Sequence, residues 1–144
     1  ILKIDLGNRI VEIEAWESGH TDNDLSVFDQ NTKTLITENV FVKRVPPIRA
    51  SIKGWKKNLE KILNWDIDLI IPGHGKVAKK EEAILPMVSY FERLLNETRK
   101  FHNENKTLEE AQNKISKKNI ENWLLFEDYH TSNITKTYTE LEWE

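Results

Sequence analysis

Two histidines in this chain each lie in a glycine-containing turn directly after a run of aliphatic residues. The first turn reads Gly19-His20-Thr21-Asp22-Asn23-Asp24, and the second reads Pro72-Gly73-His74-Gly75. Between them Glu38 ends a third strand-like run, at residues 34–37. Imidazole and carboxylate groups bind zinc, and a catalytic zinc keeps one position open for water. Because strand ends hold side chains rigidly beside open loops, the pattern predicts a hydrolytic zinc site that uses His20, Glu38 and His74.

Composition and charge argue against several kinds of binding partner. The net charge is −3 and hydrophobic residues make up 38% of the chain, values typical of one folded domain or a large part of one. The negative charge argues against a chain-wide nucleic-acid surface. No apolar run is long enough to span a membrane. Since cysteine is absent, any metal must be bound by His, Asp or Glu.

Hydrophobic spacing predicts a β-rich first part, residues 1–79, and a helical second part, residues 80–144, packed on the same domain. Alternating residues predict a hairpin around Gly7-Asn8, and further strands at 25–28 and 33–37. The unalternating run at 68–71 predicts a strand buried on both faces. Helical spacing predicts helices at 51–65, from residue 80 with Pro86 near the first turn, from Thr107, and at 134–141.

The chain begins with Ile1 inside a strand-like pattern. We therefore expect that an upstream part of the protein is missing from this sequence.

The motifs together resemble the C-terminal half of the metallo-β-lactamase superfamily. The resemblance rests on residues 19–27, 35–41 and 70–75, and extends through Gly54-Trp55. The tail is similar to the branch called quinoprotein relay system zinc metallohydrolases, in residues 123–126, 129–130, 133–135 and 140–144.

This resemblance implies an α/β fold, half of an αββα sandwich with a mixed β-sheet and an added C-terminal helical segment. It also implies a cofactor of two zinc ions. His20 matches the last histidine of the first metal site, and His74 matches the histidine of the second. Glu38 stands where the family has a bridging aspartate, and its side chain is one methylene longer. We therefore expect a looser metal pair or a single ion.

The family's His-x-His-x-Asp-His motif is absent from this sequence. In the family it supplies most of the metal ligands and the aspartate that activates water, so the catalytic residue is expected in a missing N-terminal half. We expect this chain alone to bind zinc weakly and to be inactive. Asn23 or Asp24 is expected to orient the loop or the substrate.

The resemblance implies a zinc-dependent hydrolase that acts on an ester, thioester, lactone or similar bond of a small-molecule substrate. Its relatives indicate a periplasmic location. An alternative is a non-catalytic protein that keeps the fold and binds a partner. Half a sandwich would also leave an apolar sheet face bare, to be covered by the missing half or by a second copy in a homodimer.

Overall fold

One mixed β-sheet of six strands forms the framework of the molecule. The computed structural model describes residues 1–144. The six strands are β1 (Leu2–Asp5), β2 (Ile10–Ala15), β3 (Leu25–Asp29), β4 (Thr34–Phe41), β5 (Leu69–His74) and β6 (Ala78–Lys79). They lie in the sheet in chain order, and every neighbouring pair is antiparallel except β4 and β5, which are parallel. The four helices are α1 (Ile52–Leu63), α2 (Lys80–Asn103), α3 (Leu108–Lys114) and α4 (Phe126–Leu141). None of them has the length and hydrophobicity needed to cross a membrane.

Local sequence signals explain several element boundaries. The β1–β2 turn is closed by Gly7, whose φ of 101° suits glycine, and by the Asp5 carboxylate, which accepts from the Gly7 N–H at 2.8 Å. Ser51 caps α1 by accepting from the Gly54 N–H at 2.9 Å. Thr107 and Glu110 form the predicted capping box of α3. The α4 helix begins at Phe126, earlier than the predicted residue 134, because polar residues at its start mask the helical spacing.

A single core joins the β-rich and helical parts of the chain. Twenty-six buried residues form one continuous cluster that runs from Trp16 to Leu141. Trp55 of α1 and Phe91 of α2 are fully buried within it, with ring centroids 5.1 Å apart. The helices therefore cover one face of the sheet.

The opposite face of the sheet is exposed. Strand pairing places a row of aliphatic side chains side by side across five strands, namely Leu2, Ile13, Val27, Ile36 and Ile71. Ile36 is 48% exposed and Ile71 is 40% exposed. The prediction that residues 68–71 are buried on both faces is therefore wrong for this chain, because its helices cover only the face that contains Ile70.

Candidate metal centre

The His20 loop is held by hydrogen bonds to its own residues and to α1. The buried Asp24 carboxylate accepts from the Thr21 backbone N–H at 3.0 and 3.1 Å and from the Thr21 hydroxyl at 2.5 Å. The Gly19 carbonyl accepts from the Ser51 N–H, 3.0 Å away, just before α1 begins. Asn23 is exposed, and its N–H donates to the Thr21 hydroxyl at 3.2 Å. Asp24 therefore closes the turn, whereas the Asn23 side chain faces solvent.

The His20 ring packs between aromatic side chains of two elements. Its centroid lies 4.8 Å from that of Trp55 in α1 and 5.3 Å from that of Phe41 at the end of β4. Its Nδ1 lies 3.1 Å from the Pro47 carbonyl oxygen. Because a carbonyl can only accept, Nδ1 carries the proton in this contact, and the neutral ring then has its lone pair on Nε2. This arrangement is the one that prepares a histidine to bind a metal.

His74 lies at the end of β5, where glycines allow close approach of the neighbouring strand. A Cβ on Gly73 would lie 2.6 Å from the Glu38 carbonyl oxygen, and Gly75 adopts a φ of 102° against Val42. The His74 carbonyl accepts from the Val42 N–H at 2.9 Å. These contacts fix the backbone of His74 against the end of β4.

The surroundings of His74 favour its neutral form. Partial burial lowers the pKa of His74, and the positive charges of Arg44 and His20 lower it further. Its ring centroid lies 4.6 Å from that of Phe41. A neutral imidazole is the form that binds a metal ion.

Glu38 is an exposed residue of β4 that follows the buried Thr37. Since side chains alternate along a strand, the Glu38 carboxylate lies on the same face of the sheet as Ile36, away from the helices. Its backbone contacts Gly73, the residue before His74. The Glu38 backbone therefore lies beside the C-terminal end of β5, next to the residue that precedes His74.

The structure brings the two histidines together around Phe41, although they lie far apart in the sequence. Both rings contact Phe41, so their centroids cannot be farther apart than the sum of the two distances given above. No three His, Asp or Glu side chains of the chain form a group that could hold a metal ion. The two imidazoles are ligands of the kind that zinc takes, but they form only part of a site, and the Glu38 carboxylate does not join them in a group of three.

Several residues that shape this centre were not predicted as functional. Phe41 packs on the rings of His20 and His74, and Trp55 packs on that of His20. The Pro47 carbonyl accepts from His20, and the charge of Arg44 lowers the pKa of His74. No local pattern marks a carbonyl that will accept from a histidine 27 residues earlier.

A cleft lies beside the His74 strand end. Its volume is about 910 Å³, and Phe41 forms part of its wall. Apolar side chains of α2 and of the segment before α4 form much of the rest, including Ala83, Pro86 and Trp123. Lys43 and Lys76 also line the cleft, as does one acidic residue, Glu82. The cleft thus combines an apolar wall with two cationic side chains.

Solved structures with a similar fold belong to the metallo-β-lactamase superfamily. The stereoselective inverting sec-alkylsulfatase Pisa1 from a Pseudomonas species matches 96% of this chain with a TM-score of 0.77 and 15% identity. A metallo-β-lactamase family protein from Thermus thermophilus matches 98% with a TM-score of 0.66 and 13% identity. A metallo-β-lactamase from Pontibacter korlensis matches 63% with a TM-score of 0.54 and 18% identity.

These matches establish the fold of the chain, which is that of part of a metallo-β-lactamase-fold protein. The chain spans 25% of the sulfatase, 47% of the Thermus protein and 45% of the Pontibacter enzyme. No family model and no curated protein matches the sequence. The predicted α/β half-sandwich is confirmed, and the branch indicated by the tail stays a prediction.

Proposed function

We propose that this chain, which has the fold of the metallo-β-lactamase superfamily, is the C-terminal part of a zinc-dependent hydrolase in which His20, Glu38 and His74 bind the metal. The observation that supports this proposal most strongly is the pair of imidazoles around Phe41. The Nδ1 atom of His20 is already engaged by the Pro47 carbonyl. Zinc would supply a bound water whose pKa is lowered enough to make it a nucleophile near neutral pH.

The rest of the site would come from outside these 144 residues. This part of the proposal is supported by the incomplete ligand set. It is also supported by the similar structures, whose chains extend well beyond the matched part. On this proposal the water-activating residue belongs to that other part of the protein, and this chain alone binds zinc weakly.

The cleft beside His74 suits a substrate with an apolar body and an anionic group. Its apolar wall would bury the body, and Lys43 or Lys76 would pair with the anion. Neither lysine forms a salt bridge with a carboxylate of the chain, whereas many other lysines do. An alkyl sulfate of the kind acted on by a sec-alkylsulfatase has this combination, as do carboxylated esters, thioesters and lactones.

Zinc content and hydrolysis, measured on the intact protein, test this proposal. We expect His20→Ala and His74→Ala each to lower bound zinc and to reduce hydrolysis at least about 100-fold, since loss of a metal ligand removes the activated water. His102→Ala is the matched control, because Nε2 of His102 donates to the Tyr138 carbonyl of α4 and to no residue of the centre. This control should keep both zinc and activity.

Unchanged zinc content in both ligand variants would contradict the assignment of ligands. An intact protein that binds no zinc and hydrolyses none of the four substrate classes would instead favour the alternative, a non-catalytic partner-binding protein.

A further inference from the structure

The carbonyl of Pro47 belongs to a peptide unit that is held from both sides. Its oxygen accepts from Nδ1 of His20 at 3.1 Å. The N–H of the same peptide unit is that of Ile48, and it donates to the Oδ1 atom of Asn133 at 2.9 Å. A trans peptide unit is planar, and its C=O and N–H point in opposite directions. His20 and Asn133 therefore bond the two opposite edges of one rigid peptide unit.

Asn133 also holds the preceding peptide unit. Its Nδ2 donates to the Pro46 carbonyl oxygen at 2.8 Å, so one amide side chain of α4 bonds the backbone on both sides of Pro47. Pro47 has a fixed φ, and fixing the peptide that follows removes its remaining freedom at ψ. The direction of the Pro47 carbonyl is then determined by Asn133.

Buried neighbours hold Asn133 in turn. The Asn133 side chain is 1% exposed, and its Nδ2 also donates to the Tyr90 hydroxyl at 3.1 Å. That hydroxyl lies 3.2 Å from Nδ1 of His130. Every polar atom of the Asn133 amide therefore has a partner, and a rotated amide would leave buried groups unpaired.

We propose that Asn133 is a positioning residue for His20. By holding the peptide between Pro47 and Ile48, it aims the Pro47 carbonyl at Nδ1, keeps the ring proton there and leaves Nε2 for a ligand. The consequence for metal binding rests on the proposed function, whereas the effect on the ring does not.

Nitrogen NMR of His20 in the metal-free 144-residue chain tests this inference, because it reports which ring nitrogen carries the proton. In the wild type we expect the proton on Nδ1. In Asn133→Ala we expect the ratio of the Nδ1–H to the Nε2–H form to fall about fivefold, the size of effect that one hydrogen bond has on an equilibrium. Asn133→Asp keeps an acceptor for the Ile48 N–H but loses the donor to the Pro46 carbonyl, so its ratio should lie between those of the alanine variant and the wild type.

Thr137→Ala is the matched control for general destabilisation of α4. Thr137 is also fully buried and donates to the Asn133 carbonyl at 2.8 Å, but it makes no hydrogen bond to residues 46–48. In this variant the ratio of the Nδ1–H to the Nε2–H form of His20 should equal that of the wild type. If Asn133→Ala does not fold, Tyr90→Phe removes only the hydroxyl that receives Nδ2, and it should give a smaller shift in the same direction.

A wild-type proton on Nε2, or a folded Asn133 variant with the wild-type ratio, would overturn the inference. The same holds for Tyr90→Phe with an unchanged ratio where the alanine variant does not fold. Failure of the intact protein to bind zinc would overturn the proposed function and leave this inference standing.

Discussion

The four histidines of this chain differ in what their ring nitrogens face, and this decides what each can do. His20 and His102 each contact a backbone carbonyl, of Pro47 and of Tyr138. His74 ends β5, and the positive charge of Arg44 acts on its ring. His130 is 2% exposed and its Nε2 has no hydrogen-bond partner in the chain. On the proposed function, His20 and His74 are the pair that binds the metal, whereas His130 belongs to the core.

His130 should make the stability of the chain depend on pH. Burial lowers the pKa of His130 to about 4 from an ordinary 6.5, and the nearby charges of Lys117 and Arg93 act in the same direction. Below pH 6.5 His130 becomes protonated in the unfolded chain but stays neutral in the folded chain. The free energy of unfolding therefore falls as the pH falls. Between pH 6.5 and about pH 5 the expected loss is about 2 kcal/mol.

Urea unfolding at several pH values measures this effect. His130→Gln should flatten the dependence in that window, while His102→Gln should leave it as steep as in the wild type. Equal slopes for the His130 variant and the wild type would show that His130 titrates normally in the folded chain.

The sequence predicted His20 and His74 as metal ligands, which stays a prediction, but it did not predict how their rings are held. The signals for these two histidines are local, namely glycine-flanked turns after aliphatic runs. Pro47 and Arg44, which act on these rings, and Asn133, which holds the Pro47 peptide, come from distant segments that only tertiary packing brings close. His130 lies inside the first turns of α4, because that helix begins at Phe126.

The start of α1 packs directly against the backbone of the His20 loop. An added Cβ at Gly54 would lie 1.9 Å from the Ser18 carbonyl oxygen, two residues before His20. From α4, the Glu140 carboxylate accepts from the Ser51 hydroxyl at 2.7 Å and from the Ile52 N–H at 2.8 Å. A carboxylate at a helix N-terminus is favourable. The α4 helix therefore fixes the start of α1, and α1 supports the loop.

Gly54→Ala should destabilise the chain, although glycine to alanine in a helix normally stabilises it by about 1 kcal/mol. The steric overlap with Ser18 must be relieved by moving the loop or the helix, at an expected net cost of about 2 kcal/mol. Chemical denaturation measures the change, with Glu60→Ala on the exposed side of α1 as the control. A stabilised Gly54→Ala variant would mean that the loop does not pack on α1 as described.

Element types were more predictable than element surroundings. The hairpin at Gly7-Asn8, the α1 helix and the capping box at Thr107 follow from spacing and local hydrogen bonds, and all are confirmed. The β5 strand was identified correctly, but its burial was not. An apolar run without alternation predicts that both faces of a strand are covered, but it does not show what covers each face.

For the whole molecule, the exposed sheet face is the dominant feature. The aliphatic row from Leu2 to Ile71 crosses five strands. On the proposed function, the remainder of the fold covers this face in the intact protein. In the isolated 144-residue chain we expect the same face to drive self-association.

Light scattering over a range of concentrations measures this association. Ile36→Lys combined with Ile71→Lys should shift the chain toward monomer, because two charges in the centre of the row cannot be buried without cost. Leu85→Lys is the control, since Leu85 is 50% exposed but lies on α2. A wild-type chain that stays monomeric at all concentrations would rule out this face as an association surface.

Anomalous diffraction from crystals of the intact, zinc-loaded protein tests the proposed metal centre most directly. We predict zinc peaks about 2.1 Å from Nε2 of His20 and at a similar distance from a ring nitrogen of His74, with the Glu38 carboxylate beside them. Zinc peaks that lie beyond bonding distance of both histidines would contradict the assignment of this chain to a zinc hydrolase.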